Sequence, residues 1–448
     1  MLLLPQYSQS LFIGSAIIFA LAIVHTFLTP KLFFISQQFK NKQLIYPEAS
    51  KKYYMISEIL STLSRVELVF FFWPIVLFCL FFFLEGPKLT FAYFEARNYS
   101  FPLYVIMMVI LVNSKPIIFF ADRVLTFIAG LGKSTPRAWW WTLLIGAPFM
   151  SCLVKETGAM IIAATMLSKK IYNLMPSRSF RYATMGLLFS NISIGGILTP
   201  MSSRSLFLVQ PTLKWKPSFI FENFSWKALI AIIISTTTYF LIFRKEFQKF
   251  PEQTASRLEK KTVLPFWLVL VHIVFIVVVI YVKSQTVTLA ALFVVFLIFH
   301  KVTLFYQNPL HLQKTAFIGL FYVGVLILGD LQEWWISLIM NRLSNIGTVV
   351  LSFVLSSFLD NTFVSYLAVN VKKSGDCYHY LVFTGITSAG GLTLLSNSPN
   401  LLGYIQLREF FNRMSFIKLF LYALPPSLTA ILIYWILKGV PGFSSCRF

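Results

Sequence analysis

Long apolar runs separated by short polar segments dominate the chain. A helix needs about 20 apolar residues to cross a bilayer, and about ten runs approach that length. Because a helix satisfies its own backbone hydrogen bonds in lipid, the pattern predicts an all-α polytopic membrane protein with about ten transmembrane helices. The predicted spans lie near residues 10–30, 67–84, 101–121, 182–201, 226–243, 263–282, 286–306, 316–340, 379–401 and 416–437.

Two further apolar stretches, 138–166 and 348–371, are interrupted near their middles by charged and small residues. Basic residues flank the first stretch on both sides, in 122–137 and 168–181. Since Lys and Arg mark cytoplasmic loops, both ends of this stretch are predicted to lie on the cytoplasmic side. The stretch is too short for two crossings, so it is predicted to be a re-entrant helical hairpin. The second stretch is predicted to enter in the same way from the opposite face.

Composition and charge agree with a membrane protein. The chain is 57% hydrophobic and 12% charged, whereas soluble domains carry about 25% charged residues. Lys and Arg number 38 against 16 Asp and Glu, a net charge of +22. Most basic residues lie in short gaps between apolar runs, where the positive-inside rule and anionic headgroups account for them. We therefore expect a multi-pass protein of the cell (inner or plasma) membrane with both termini outside, and no nucleic-acid partner.

The same map gives the domain organisation. The two halves are predicted to be inverted repeats, each with one hairpin followed by one broken helix. The four cysteines are scattered and are expected to be isolated apolar residues, and the five histidines indicate no metal cage. The predicted segments are N-terminal transmembrane helices in 1–100, a first repeat in 101–243 (hairpin 138–166, broken helix 182–201), a cytoplasmic linker in 244–262, a second half in 263–437 (hairpin 348–371, broken helix 379–401) and a tail in 438–448.

Two polar motifs occur once in each half. A Gly-Gly pair followed by proline makes a poor continuous helix, so both spans that contain one are predicted to be discontinuous. Paired breaks of this kind in inverted halves indicate a transporter binding site near the membrane midplane. The motifs are Lys155-Glu156-Thr157 with Asp360-Asn361-Thr362 in the hairpins, and Ser193-Ile194-Gly195-Gly196 with Ser388-Ala389-Gly390-Gly391 in the broken helices.

Charges at membrane depth are the sharpest chemical signal. Glu156 and Asp360 lie in the middles of the two predicted hairpins, and Lys155 adjoins Glu156. Ionisable groups within a membrane are functional candidates. Desolvation favours the neutral form of a carboxyl group, so protons could compete with a cation there. The alternative is a structural Lys155–Asp360 ion pair. Lys115 lies beside Pro116 at another helix break, as an accessory charge or as a side chain that extends to the interface.

The motifs FSNISIGGILTP and SAGGLTLLSNSPN resemble the putative sodium/proton antiporter family of the ion transporter superfamily, which also contains divalent-anion/sodium symporters and arsenite permeases. The resemblance covers about 100–437 and implies an inverted-repeat scaffold that moves by an elevator mechanism. The chain departs from the family pattern at Lys155, at Thr157-Gly158 and at Met201–Arg204. The ion or substrate site that the resemblance implies comprises Glu156, Thr157, Asn191, Ser193, Gly195, Gly196, Thr199, Asp360, Asn361, Thr362, Thr387, Ser388, Gly390, Gly391, Asn397 and Asn400.

The favoured function is secondary sodium/proton antiport, with Glu156 and Asp360 alternately holding a cation or a proton. Hydroxyl and carbonyl oxygens at the broken helices would complete the sodium site, since hard cations prefer oxygen ligands. The alternative is sodium-coupled symport of a small anion, held by Lys155 or by helix N-termini. No enzyme motif is present, and no cofactor is expected. The expected partners are the bilayer and the transported inorganic cations or small anions, with a homodimer left open.

Overall fold

The computed structural model describes residues 7–45, 50–97, 99–250, 264–310, 312–369, 371, 375–411 and 414–437. Within these ranges the chain is helical and forms no β-strand. The predicted tail 438–448 and most of the predicted linker 244–262 lie outside the described residues.

The described helices follow one another with short connections. Single π-helical turns join α6 to α7 and α10 to α11. The helices are α1 Gln9–Ile45, α2 Ser50–Leu63, α3 Val66–Glu95, α4 Ser100–Val112, α5 Lys115–Leu131, α6 Pro136–Trp141, α7 Ala147–Lys170, α8 Arg178–Gly195, α9 Arg204–Leu213, α10 Pro217–Ile220, α11 Trp226–Ile242, α12 Arg244–Phe247, α13 Phe266–Tyr281, α14 Thr286–Val302, α15 Leu312–Gly329, α16 Glu333–Met340, α17 Asn345–Phe358, α18 Asn361–Val369, α19 Asp376–Ala389, α20 Ser398–Leu407 and α21 Phe416–Ile436.

The chain divides into two compact units. In the first, α3 packs against α1 and α15, and Tyr93 Oη donates a hydrogen bond to Ile327 O (2.6 Å). The second contains every residue that the sequence predicts for the site. The first unit comprises Met1–Ile110, Val277–Val302 and Pro309–Ile336, and the second comprises Leu111–Ile276, Thr303–Asn308 and Ser337–Phe448.

Several described helices are long and apolar enough to cross a membrane. There are six, or seven if the bent pair α4–α5 is one span, and three shorter apolar helices (α13, α14 and α17) accompany them. The structure therefore confirms a polytopic helical membrane protein. The predicted spans 182–201 and 379–401 are interrupted where the Gly-Gly motifs begin, because α8 ends at Gly195 and α19 ends at Ala389. The six are Gln9–Thr26, Leu68–Glu95, Pro136–Leu174, Pro217–Ile242, Thr315–Met340 and Phe416–Ile436.

Residues 136–170 form a helical hairpin with its tip at Lys155. This residue has φ 56° and ψ 168°, which interrupts the helix within α7. The Lys170 Nζ atom lies 5.4 Å from the centre of the Trp139 ring. A straight helix would separate these two positions by about 46 Å, at about 1.5 Å per residue. The chain must therefore reverse between them, as a hairpin requires.

Helix α21 shows that α8 and α19 run in opposite directions. Near the start of α21, Ser415 N donates a hydrogen bond to Tyr182 Oη (2.8 Å) close to the start of α8. Near its end, Tyr434 O accepts one from Tyr380 Oη (2.7 Å) close to the start of α19. The two helices thus start at opposite ends of α21 and approach each other, so their Gly-Gly breaks lie between the two ends.

The cysteines follow the sequence expectation only in part. Cys79 and Cys152 are free, as expected of isolated apolar residues. Cys377, at the start of α19, is disulfide-bonded, so the expectation is wrong for this residue. Sequence spacing carried no sign of the bond, because a disulfide can join residues at any separation along a chain. Disulfides persist in oxidising compartments, which agrees with the outer face from which the second hairpin is predicted to enter.

Candidate functional site

In each half of the second unit, the break in the hairpin contacts the broken helix, and the same type of backbone hydrogen bond joins them in both halves. The connection from α8 to α9 (196–203) has the same length as the connection from α19 to α20 (390–397). In the first half, Glu156 N donates to Ser202 O (3.1 Å), and in the second, Asn361 N donates to Ser396 O (2.9 Å). Each acceptor stands two residues before the next helix. Glu156 and Asn361 are therefore structurally equivalent, as the aligned triplets predict.

Glycines allow the hairpin tips to reach the broken helices. A Cβ atom at Gly196 would overlap with Glu156 Oε1, and one at Gly390 would overlap with Asn361 Nδ2. The structure thus pairs Gly196 with Gly390. The alignment of the two Gly-Gly motifs instead pairs Gly195 with Gly390. This alignment is wrong by one residue, because the glycine that contacts the hairpin tip is the second of the pair in the first half and the first of the pair in the second half.

Asp360 lies at the junction of two helix starts. Its Oδ1 accepts a hydrogen bond from Thr362 N (2.9 Å), and its Oδ2 accepts one from Ser398 N (3.2 Å). Backbone N–H groups at helix starts are unsatisfied within the helix and favour negative charge. The Arg204 Nη2 atom lies 4.0 Å from the same carboxylate. These contacts hold the Asp360 carboxylate in place between the starts of α18 and α20.

Glu156 has a different environment. Its side chain is 4% exposed, and its Oε2 accepts a hydrogen bond from Asn397 Nδ2 (3.3 Å). Lys155, Arg204 and Asp360 all interact with it electrostatically. Two carboxyl groups in environments this different are suited to different roles, and Glu156 is the one whose carboxylate lacks backbone donors among the described residues.

Arg204 joins the candidate site through contacts that the sequence does not indicate. The charge pattern predicts an outer loop for it, but it is the first residue of α9 and is 6% exposed. Its Nη2 donates to Asn397 Oδ1 (3.1 Å), so it connects to Glu156 through Asn397 and to Asp360 directly. The sequence contains one indication of this position. Arg204 closely follows the predicted helix break, which is the part of the span expected to line the binding site.

The two accessory lysines have different surroundings. Lys155 is buried at the hairpin tip, and its Nζ lies 4.8 Å from the centre of the Phe207 ring on α9, within cation–π distance. Lys115 begins α5 directly after the break at 113–114, where its side chain is half-buried. The predicted break beside Pro116 is therefore present.

Three predicted residues join the two halves. Ser193 Oγ donates to Thr387 O (3.1 Å), and Asn361 Nδ2 donates to Ser193 Oγ (3.4 Å). Ser356 Oγ in turn donates to Asn361 Oδ1 (2.7 Å). This hydrogen-bonded chain crosses from α8 to the second hairpin and fixes the side-chain orientation of Asn361.

The other predicted residues mostly stabilise the breaks and their packing. Asn400 Nδ2 donates to the carbonyls of Gly390 and Thr393 (2.7 Å each), and Thr199 Oγ1 lies 2.7 Å from Ser202 Oγ. The Asn191 amide instead donates to Leu144 O and Thr236 Oγ1, toward the π turn and α11. Ser388 Oγ is buried and has no hydrogen-bond partner among the described residues. Those that remain are buried beside the breaks: Thr157, Thr362, Gly195 and Gly391.

The described residues contain no group of three or more His, Cys, Asp or Glu side chains that could hold a metal ion. A transported cation here would instead meet one or two carboxylates together with neutral oxygens. Hydroxyl, amide and carbonyl oxygens of that kind are concentrated at the two breaks, in Ser202, Ser388, Ser396 and Asn397.

Comparison with known proteins identifies one family. The sequence model of the family described as "Putative Na+/H+ antiporter" matches residues 10–437, nearly the whole chain. No curated protein matches the chain significantly.

Proposed function

This chain belongs to the putative Na+/H+ antiporter family, and we propose that it exchanges Na+ for H+ with Glu156 as the exchanging carboxyl group. The observation that carries the proposal is the buried Glu156 side chain between two helix breaks, at a glycine that leaves room for its carboxylate. A buried carboxylate must be neutralised by a bound cation or by a proton. Because Na+ and H+ compete for the Glu156 carboxylate, the transport of one is coupled to the transport of the other.

The two carboxylates, Glu156 and Asp360, have different roles in this proposal. Asp360 accepts two backbone hydrogen bonds at the starts of α18 and α20, so it holds the second hairpin against its broken helix. Glu156 alternates between the protonated and the cation-bound form. Hydroxyl and carbonyl oxygens of the breaks complete the oxygen shell that Na+ prefers.

We further propose that the two halves form an inverted-repeat scaffold with re-entrant hairpins that moves by an elevator mechanism. The opposite directions of α8 and α19 along α21 support the inversion. The hairpin geometry of 136–170 supports re-entry from one side of the membrane. In this scaffold the non-helical backbone of the two breaks is surrounded by protein rather than lipid, so its polar groups can form hydrogen bonds.

The second candidate function, sodium-coupled symport of a small anion, would need a buried cation such as Arg204 to hold the anion. A buried guanidinium suits a carboxylate substrate. In this structure Arg204 already contacts Asn397 and lies near Asp360, which favours a role as counter-ion to the protein's own carboxylates and therefore supports antiport.

The purified protein in proteoliposomes tests this function. With a pH-sensitive dye inside, an inward Na+ gradient should make the lumen alkaline, and K+ at the same concentration should not. Liposomes without protein provide the control. If Na+ leaves the internal pH unchanged while a labelled carboxylate accumulates only with Na+, the symport function replaces antiport.

The re-entrant hairpin gives a topology prediction. In a background with the free cysteines Cys79 and Cys152 replaced by serine, Lys133→Cys and Lys169→Cys should both react with an impermeant maleimide from the cytoplasmic side. Both native lysines are exposed at the ends of the hairpin. Lys216→Cys, in the predicted outer loop, should react only from outside. Labelling of positions 133 and 169 from opposite sides would show that this segment crosses the membrane.

A further inference from the structure

The formal charges around the two breaks balance, since Lys155 and Arg204 are cations and Glu156 and Asp360 are anions. Lys155, Glu156 and Arg204 are buried, and the Asp360 side chain beside Arg204 is 13% exposed. Each cation that binds beside these groups adds positive charge to the region, and the energetic cost rises with every further ion. A carboxylate that already has Arg204 beside it is therefore the less favourable position for a bound ion.

Arg204 stands where a cation would bind at Asp360. Its Nη2 is 4.0 Å from Asp360 Oδ2 and donates to Asn397 Oδ1 at 3.1 Å. The side chain is buried, so the guanidinium is held among these oxygens rather than in water. A carboxylate oxygen and an amide oxygen are the ligand types that a hard cation prefers, and here the protein's own charge occupies them.

The repeat shows that this cation is a feature of one half only. Arg204 is the first residue after the break in the first half, and Ser398 is the first residue after the equivalent break. Ser398 supplies a backbone N–H to Asp360 and no charge. The fold therefore accommodates serine at this position, and the charge of Arg204 is not needed to form a break.

We propose that Arg204 is a built-in cation that fills the ion-binding position beside Asp360, so that the transporter carries one ion per cycle and exchanges one Na+ for one H+. This inference rests on the proposed function. With Glu156 protonated, the four groups carry one net positive charge. With Glu156 ionised and Na+ bound, they carry the same net charge. Loaded states of equal charge make the complete exchange cycle electroneutral.

Direct binding of ²²Na+ to the purified full-length protein in detergent at alkaline pH tests the inference. The wild type should bind one Na+ per chain. Arg204→Ser should bind two, because it vacates the position beside Asp360, and adding Asp360→Asn should return the number to one. Arg204→Lys should bind one, since it keeps a tethered cation. Arg178→Ser, which removes an exposed arginine at the start of α8, is the matched control and should bind one.

A second measurement uses only the wild type and does not depend on the folding of a variant. In proteoliposomes with equal Na+ and equal pH on both sides, a potential set by K+ and valinomycin should drive no Na+ movement. Movement driven by the potential alone, or one Na+ per chain in folded Arg204→Ser, would overturn the inference and leave antiport intact. Absence of any Na+-driven proton movement in the wild type would instead overturn the proposed function itself.

Discussion

Replacing Glu156 by glutamine should reduce Na+-driven proton movement to the rate of liposomes without protein. Glutamine has nearly the same shape and can still accept a hydrogen bond from Asn397, so the site should keep its geometry. It cannot lose a proton or supply a negative charge to a cation, so neither half of the exchange can occur. The measurement is the initial rate of luminal alkalinisation after Na+ is added to proteoliposomes.

Glu222→Gln is the matched control for this substitution. Glu222 is exposed at the π turn before α11, so the same chemical change there should leave the exchange rate close to that of the wild type. If Glu156→Gln is folded and still exchanges Na+ for H+ at the wild-type rate, Glu156 is not the exchanging group. Monodispersity in detergent establishes folding in both variants.

Gly391→Ala should destabilise the protein by about 1–3 kcal/mol or more, the usual cost of overpacking. An added Cβ would overlap with the backbone N and Cα atoms of Ser190 on α8. Backbone atoms cannot rotate away as a flexible side chain can, so α8 and the second break would have to separate. The expected result is a lower midpoint temperature in thermal unfolding of the purified protein.

Gly130→Ala is the control for this change. Gly130 lies in α5, and nothing lies within 4 Å of the position a Cβ would take. Alanine is favoured over glycine within a helix by about 1 kcal/mol, so this variant should be as stable as the wild type or slightly more stable. Equal midpoints for Gly391→Ala and the wild type would show that the two halves do not approach as closely as described.

The candidate site can be proposed from the sequence because certain residue types are rare in membrane-spanning segments. Glu156 and Asp360 stood out since carboxylates are rare in apolar segments, and the Gly-Gly pairs marked the breaks because such sequences do not continue a helix. The hairpin was predicted from basic residues on both flanks. Each of these signals depends only on residues that are neighbours in the sequence, so it can be recognised without the structure.

The parts that were missed depend on contacts between distant segments. The loop pattern predicts an exposed Arg204, whereas its approach to Asp360 and Asn397 places it beside the candidate site. The pairing of Gly196 with Gly390 follows from the positions of two hairpin tips, which a motif alignment does not contain. The distinct environments of the two carboxylates likewise arise from helix starts that meet Asp360 and not Glu156.

The pH dependence of Na+ binding to the purified wild type tests the central claim most directly. If one proton on Glu156 competes with one Na+, the Kd for Na+ should fall about tenfold for each unit that the pH rises while the group is mostly protonated, because each bound Na+ displaces one proton. Binding should also release about one proton per Na+, and Glu156→Gln should show neither effect. A Kd that does not change with pH, or proton release that persists in Glu156→Gln, would contradict exchange at this residue.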